Sequence, residues 1–215
     1  MTRVALIHAL AHSVAPINEE MARQWPECER MNLLDDSLSA DLARSASGLD
    51  AAMTQRFVAL ADYAVSTGAQ ALLFTCSAFG PCIDAVARRH AGLPVLKPNE
   101  AMVADAVASS RRIGLVASFA PTLQSMPAEF PAGVDLQLAL AEGALDALDG
   151  GNAELHDERA AAAAQRLAEQ GCELIALAQF SLARAQGLVA QRTGLPVLTT
   201  VGSAVLALKR RFGTG

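Results

Sequence analysis

Two segments of this chain superimpose on each other, and that internal duplication limits what it can fold into. Gly68-Ala-Gln-Ala-Leu-Leu-Phe-Thr-Cys76-Ser77 matches Gly171-Cys-Glu-Leu-Ile-Ala-Leu-Ala-Gln179-Phe180, an offset of 171−68=103. Each is followed by the same tetrapeptide, Gly92-Leu-Pro-Val95 and Gly194-Leu-Pro-Val197, at 194−92=102. A third pair, Arg3-Val-Ala-Leu-Ile7 and Arg112-Ile-Gly-Leu-Val116, lies at 112−3=109. A unit of a little over a hundred residues therefore occurs twice, and one copy ends its strand in a cysteine where the other has a glutamine.

Within each copy, short apolar runs alternate with segments of helical spacing. Strands are expected at residues 4–8, 30–34, 71–75 and 94–96, then at 113–116, 134–140, 174–177 and 196–198. Helices are expected at 13–24, 49–67, 81–91, 99–110, 154–170, 182–193 and 203–211. This order predicts an α/β fold of two pseudo-symmetric lobes, each a parallel sheet flanked by helices. The lobes are expected at residues 1–98 and 99–215, with the final helix free to pack back on the first. Ligands of such sheets bind beyond the carboxyl ends of the strands, so an active-site cleft between the lobes is expected.

Composition narrows the function. Of 215 residues, 52% are apolar and 18% charged, enough to fill a core and too few charges for extended disorder. The net charge of −5 argues against a nucleic-acid partner. The basic clusters Arg88-Arg89, Arg111-Arg112 and Lys209-Arg210-Arg211 read as solvated helix ends. No apolar run reaches the roughly 18 residues needed to cross a bilayer, and Met1-Thr2-Arg3 leads straight into a strand-like run, unlike a signal peptide. Cys28, Cys76, Cys82 and Cys172 lack metal-finger spacing, so a reduced, cytoplasmic protein is expected. No His-Glu-x-x-His pattern or phosphate-binding glycine loop is present.

Cys76 stands where a buried strand meets the start of a helix. Unpaired N–H groups there stabilise a thiolate, so its pKa is expected below the usual value of about 8.5. The same N–H groups, with the hydroxyls of Thr75 and Ser77, suit a carboxylate. A thiolate beside such a turn can remove a proton from carbon next to a carboxylate.

The Phe74-Thr75-Cys76-Ser77 segment, the duplication and the paired Gly-Leu-Pro-Val segments resemble the aspartate/glutamate racemase superfamily, which includes hydantoin racemases, maleate isomerases and arylmalonate decarboxylases. The resemblance covers nearly the whole chain. It implies a cofactor-independent, metal-free enzyme acting on a small carboxylate or amino acid, with Cys76 as the first-lobe catalytic cysteine and a homodimer as a common assembly. The second cysteine of the family pattern is replaced by Gln179, which has no titratable proton at neutral pH. Racemisation or isomerisation would then need another acid, His12 or water. Decarboxylation, addition of the thiol to an unsaturated acid, and ligand binding without turnover remain as alternatives.

Other candidates lie at strand ends. His8 and His12 flank the first strand-to-helix loop, and either could supply a second proton or serve as a hydrogen-bonded loop residue. Lys97 is expected at the rim, pairing with a substrate carboxylate or lowering the Cys76 pKa, or else bridging Glu100 or Asp36. Ser118, Gln179, Phe180 and Thr199 occupy the corresponding ends of the second copy as substrate-binding candidates. Asp35-Asp36-Ser37 reads as a cap or as an orienter of a histidine, and Asn99 as an N-cap. His90 and His156 are expected on solvent-facing helix surfaces, Cys82 and Cys172 in packing roles, and Cys28 offers no functional argument.

Overall fold

A computed structural model describes residues 2–46 and 48–213. The chain divides into two compact units: residues up to Pro98 together with those from Ala204 onward, and Asn99–Ser203.

The first unit is built from strands β1 (Arg3–His8), β2 (Glu29–Leu34), β3 (Ala71–Phe74) and β4 (Val95–Leu96) and helices α1 (Val14–Gln24), α2 (Ser37–Arg44), α3 (Ala51–Ser66) and α4 (Gly80–Arg89). The second holds β5 (Arg112–Ala117), β6 (Asp135–Leu140), β7 (Leu174–Leu177) and β8 (Val197–Thr199). Its helices are α5 (Glu100–Ser109), α6 (Ala120–Ser125), α7 (Ala144–Asp149), α8 (Ala153–Glu169) and α9 (Gln186–Thr193). Helix α10 (Thr200–Arg211) begins in the second unit and continues in the first.

Each sheet is four-stranded and parallel, ordered β2-β1-β3-β4 and β6-β5-β7-β8. The duplication is therefore structural. Ile7 pairs with Phe74 as Val116 pairs with Leu177, so Cys76 and Gln179 both lie two residues beyond their pairing positions. Strands β3 and β7 are buried at every residue, as a parallel sheet covered on both faces requires. Edge strands β2 and β6 mix exposed and half-buried positions.

Local chemistry sets the long helices. Asp50 caps α3 by accepting from the Met53 N–H at 2.8 Å, and Asn152 caps α8 by accepting from Leu155 at 3.1 Å. After each helix the chain reverses into β3 or β7 through a glycine at positive φ, Gly68 at 91° and Gly171 at 86°. In the first core, Phe57 stacks on Phe74 with centroids 5.5 Å apart. In the second, Ala160, Ala161, Ala163 and Ala164 of α8 are fully buried. The α10 end lies against the first unit: Lys209 Nζ donates to the Gln24 carbonyl at 2.8 Å, and Trp25 and Phe212 rings sit 5.7 Å apart.

Three short helices, α2, α6 and α7, fall where the sequence predicts only connections. His156 is fully buried and His90 half-buried against Asp62, correcting the expectation of solvent-facing positions. Among the described residues, no helix is long and apolar enough to cross a membrane.

Candidate functional site

Beyond β3, Cys76 adopts an extended conformation (φ −129°, ψ 121°) and leads into a three-residue 3-10 turn, Ser77–Phe79, before α4. Cys76 is half-buried, whereas Cys28, Cys82 and Cys172 are at most 4% exposed. The pocket beside it is walled by Ile7, Ala9, Leu38, Phe57 and Phe74, with His8 as its other polar lining residue. Helix α2 roofs this end: Leu38 is fully buried, and the Ser39 hydroxyl donates to the Ala9 carbonyl at 2.9 Å.

These surroundings correct the expected charge state. Burial pushes the Cys76 thiol up, and the Ala78 N–H and Ser39 hydroxyl, which favour a thiolate, offset only part of it. The helix-dipole expectation fails for a geometric reason. A single 3-10 turn separates the sulfur from α4, and apolar side chains stand where water would solvate a thiolate.

His8 is the last residue of β1, fully buried. Its Nδ1 lies 2.9 Å from Thr75 Oγ1 and its Nε2 3.0 Å from Asn32 Oδ1. Burial lowers its pKa, partly opposed by the Asn32 bond, so the ring is neutral at pH 7. Thr75 is 5% exposed, and its N–H donates to the Ile7 carbonyl at 3.1 Å. His12 lies in a separate 3-10 turn, Ala11–Ser13, and is exposed. Ser77 is half-buried at the turn itself.

Lys97 forms an ion pair with Asp84 at 2.7 Å, a partner outside those expected. Asp35 serves the local chain. Its carboxylate accepts from the Ser37 N–H at 3.2 Å and hydroxyl at 2.5 Å and pairs with Arg56 at 2.7 Å. Burial alone would raise its pKa, yet these contacts hold it below the usual range. Asn99 sits at the N-cap position of α5 without a side-chain cap bond and donates to Glu129 at 3.2 Å instead.

In the second unit, Gln179 Oε1 accepts from the Ser118 N–H at 2.6 Å and from its hydroxyl at 3.1 Å. The β5 and β7 ends are thereby tied, leaving the Gln179 amide hydrogens as the donors it can offer. Thr199 Oγ1 accepts from the Gly202 N–H at 2.9 Å at the start of α10, and Phe180 is 3% exposed. Both substrate-binding candidates are buried. Cys172 lies in the core cluster against α8, and Cys82 Sγ meets Thr54 Oγ1 at 3.5 Å.

Sequence inspection missed Asn18, Asn32 and Ser39. Asn32 carried a signal, an amide inside the apolar strand run Arg30-Met-Asn-Leu-Leu34. Among the described residues no group of three or more His, Cys, Asp or Glu could hold a metal ion.

A family model described as Asp/Glu/Hydantoin racemase matches residues 11–208. No curated protein sequence matches the chain significantly. Among solved structures, allantoin racemase from Klebsiella pneumoniae aligns with a TM-score of 0.74 at 17% identity, over 99% of this chain and 88% of that one. A glutamate racemase from Thermus thermophilus, in complex with β-chloro-D-alanine, gives 0.73 at 18%, over 99% and 80%. Unliganded arylmalonate decarboxylase gives 0.64 at 18%, over 100% and 94%. At these identities the structures share the fold, and the match over most of the sequence carries the kinship. The chain belongs to the Asp/Glu/hydantoin racemase family.

Proposed function

We propose that the protein is a racemase- or isomerase-type enzyme in which one thiol, Cys76, exchanges a proton with the carbon next to a carboxylate of a small acid or amino acid. The observation that supports this most is the position of that sulfur. Of the four cysteines, Cys76 alone is half-buried, at the carboxyl end of β3, with the Ala78 N–H directed at it. In the forward step the Cys76 sulfur, once deprotonated, takes the α-proton, the C–H electron pair becomes an enolate, and His12 or water returns a proton to the opposite face of that carbon. Gln179 can hold an oxygen of the enolate or carboxylate through its amide hydrogens, but it cannot shuttle the proton. The thiol suffices for this chemistry without a cofactor.

A second reading, a lyase, is favoured by the raised thiol pKa. A resting S–H is already a proton donor. Loss of carbon dioxide would leave the electron pair on the α-carbon, the thiol would protonate it, and solvent would reprotonate the sulfur.

The test is incubation with a panel of amino acids, hydantoins, dicarboxylates and malonates in deuterated water. The isomerase reading expects α-deuterium incorporation that disappears in Cys76→Ala. Exchange that persists in that variant removes Cys76 from the mechanism. Carbon dioxide release dependent on Cys76 moves the assignment to the lyase.

A further inference from the structure

One unit of the duplication contains a polar ladder that the other lacks. In the Cys76-bearing unit it runs from Thr75 on β3 through His8 on β1 and Asn32 on β2 to Asn18 on α1. The register places Ala178, Ala117 and Leu138 at the matching positions for Thr75, His8 and Asn32 in the second unit. Hydrophobic side chains therefore satisfy this architecture, and the polar set needs another reason.

The hydrogen positions along the ladder follow from one fixed end. The Val14 carbonyl can only accept, so the Asn18 atom 2.8 Å away is the amide nitrogen. That nitrogen also donates to Asn32 Oδ1 at 2.7 Å, while Asn32 Nδ2 returns a bond to Asn18 Oδ1 at 3.2 Å, which fixes both amides. The atom facing His8 Nε2 is therefore an acceptor, and Nε2 carries the hydrogen. In a neutral ring Nδ1 then offers a lone pair, and the hydrogen between His8 and Thr75 belongs to the threonine hydroxyl. The alternative acceptor for that hydroxyl, the Ile7 carbonyl, is 3.4 Å away.

We infer that His8 is a positioning residue for Cys76. Held as its Nε2–H tautomer by Asn32 and Asn18, it takes the Thr75 hydroxyl hydrogen and pins the residue that precedes the thiol. Thr75 is then anchored at its N–H by Ile7 and at its side chain by His8. Its hydroxyl hydrogen is not available to a substrate carboxylate, so Thr75 acts through Cys76 and not on the ligand. This deepens the proposed function and rests on it for the role of Cys76, but the hydrogen assignment stands without it.

The test needs no identified substrate. Long-range proton–nitrogen spectra of the wild-type protein at pH 7 should show His8 protonated at Nε2 alone; an Nδ1–H or doubly protonated ring overturns the inference. Alkylation of Cys76 by iodoacetate, which bears a carboxylate next to its reacting carbon, is compared with alkylation by neutral iodoacetamide. Thr75→Val should change both rates by one common factor and leave their ratio unaltered, Thr75→Ser should restore wild-type rates, and His8→Gln should fall nearer wild type than His8→Phe. A Thr75→Val ratio that falls about tenfold against iodoacetate makes Thr75 a carboxylate ligand, and rates unchanged in every variant remove the positioning role. Either result overturns the inference. If the hydrogen assignment holds while Cys76→Ala retains α-exchange, the proposed function fails and the ladder does not.

Discussion

Cys76 differs from the other three cysteines in access: it is half-buried where they are buried. Burial raises the pKa of Cys28 from 9.0 to about 11, and burial also raises those of Cys76 and Cys172. Because the thiolate is the nucleophile, exposure decides which reacts. We expect iodoacetamide to label Cys76 before the other three, as read by peptide mass mapping, with a rate that climbs as pH rises above 9. Labelling of all four at one rate would mean that access to Cys76 is no better than to the core thiols. The position of this residue was legible in sequence because a strand-to-helix junction is a local pattern. The direction of its pKa was not. It depends on Phe57, Leu38 and Ser39, residues 19, 38 and 37 positions away (76−57, 76−38, 76−39) that only the folded chain brings near.

Among the elements, the contact of α8 with β5 is the tightest test of packing. A Cβ built on Gly114 would meet Ile175 Cδ1 and Leu167 Cδ1 at 3.0 Å and Leu167 Cβ at 3.1 Å. The methyl-sized space is already filled, and the alanine face of α8 lets helix and strand come this close. Gly114→Ala should destabilise the protein by about 1–3 kcal/mol through overpacking, measured by urea unfolding. A neutral result would show that Leu167 and Ile175 can yield. The long helices and central strands were readable because each carries enough residues to show its period. Helices α2, α6 and α7 were not, since they bury one or two residues each: Leu38, Thr122, and Ala144 with Ala147. Two apolar contacts define no periodicity. The terminal helix was recognisable too, but three residues of its first turn were not, because Thr200, Val201 and Gly202 look unlike helix formers.

For the molecule as a whole, buried titrating groups set the pH range of stability. His8 has a folded pKa below its ordinary 6.5, so the unfolded chain takes up the proton first. Its contribution is complete above about 6.5 and is lost as pH falls through that value. Cys28 behaves in the opposite sense. The unfolded thiol ionises near 9.0 and the folded one near 11, so stability declines as pH rises across that interval. Melting temperature should therefore be highest between about 6.5 and 9, and a curve flat from 9 to 11 would show that Cys28 is not buried as described.

Sequence alone determined the alternation of strands and helices, the duplication, the parallel sheets these imply and the chemical inequality of Cys76 and Gln179. All of these are written in short-range periodicity or in the comparison of one half of the chain with the other. Tertiary structure alone decided that His8 binds Thr75 and Asn32, that Lys97 meets Asp84, that His156 is buried and that burial pushes the Cys76 thiol pKa up. A local pattern specifies which face of an element turns inward. The partner a polar group finds there comes from another element, and its distance and dielectric surroundings exist only once the chain has closed around it.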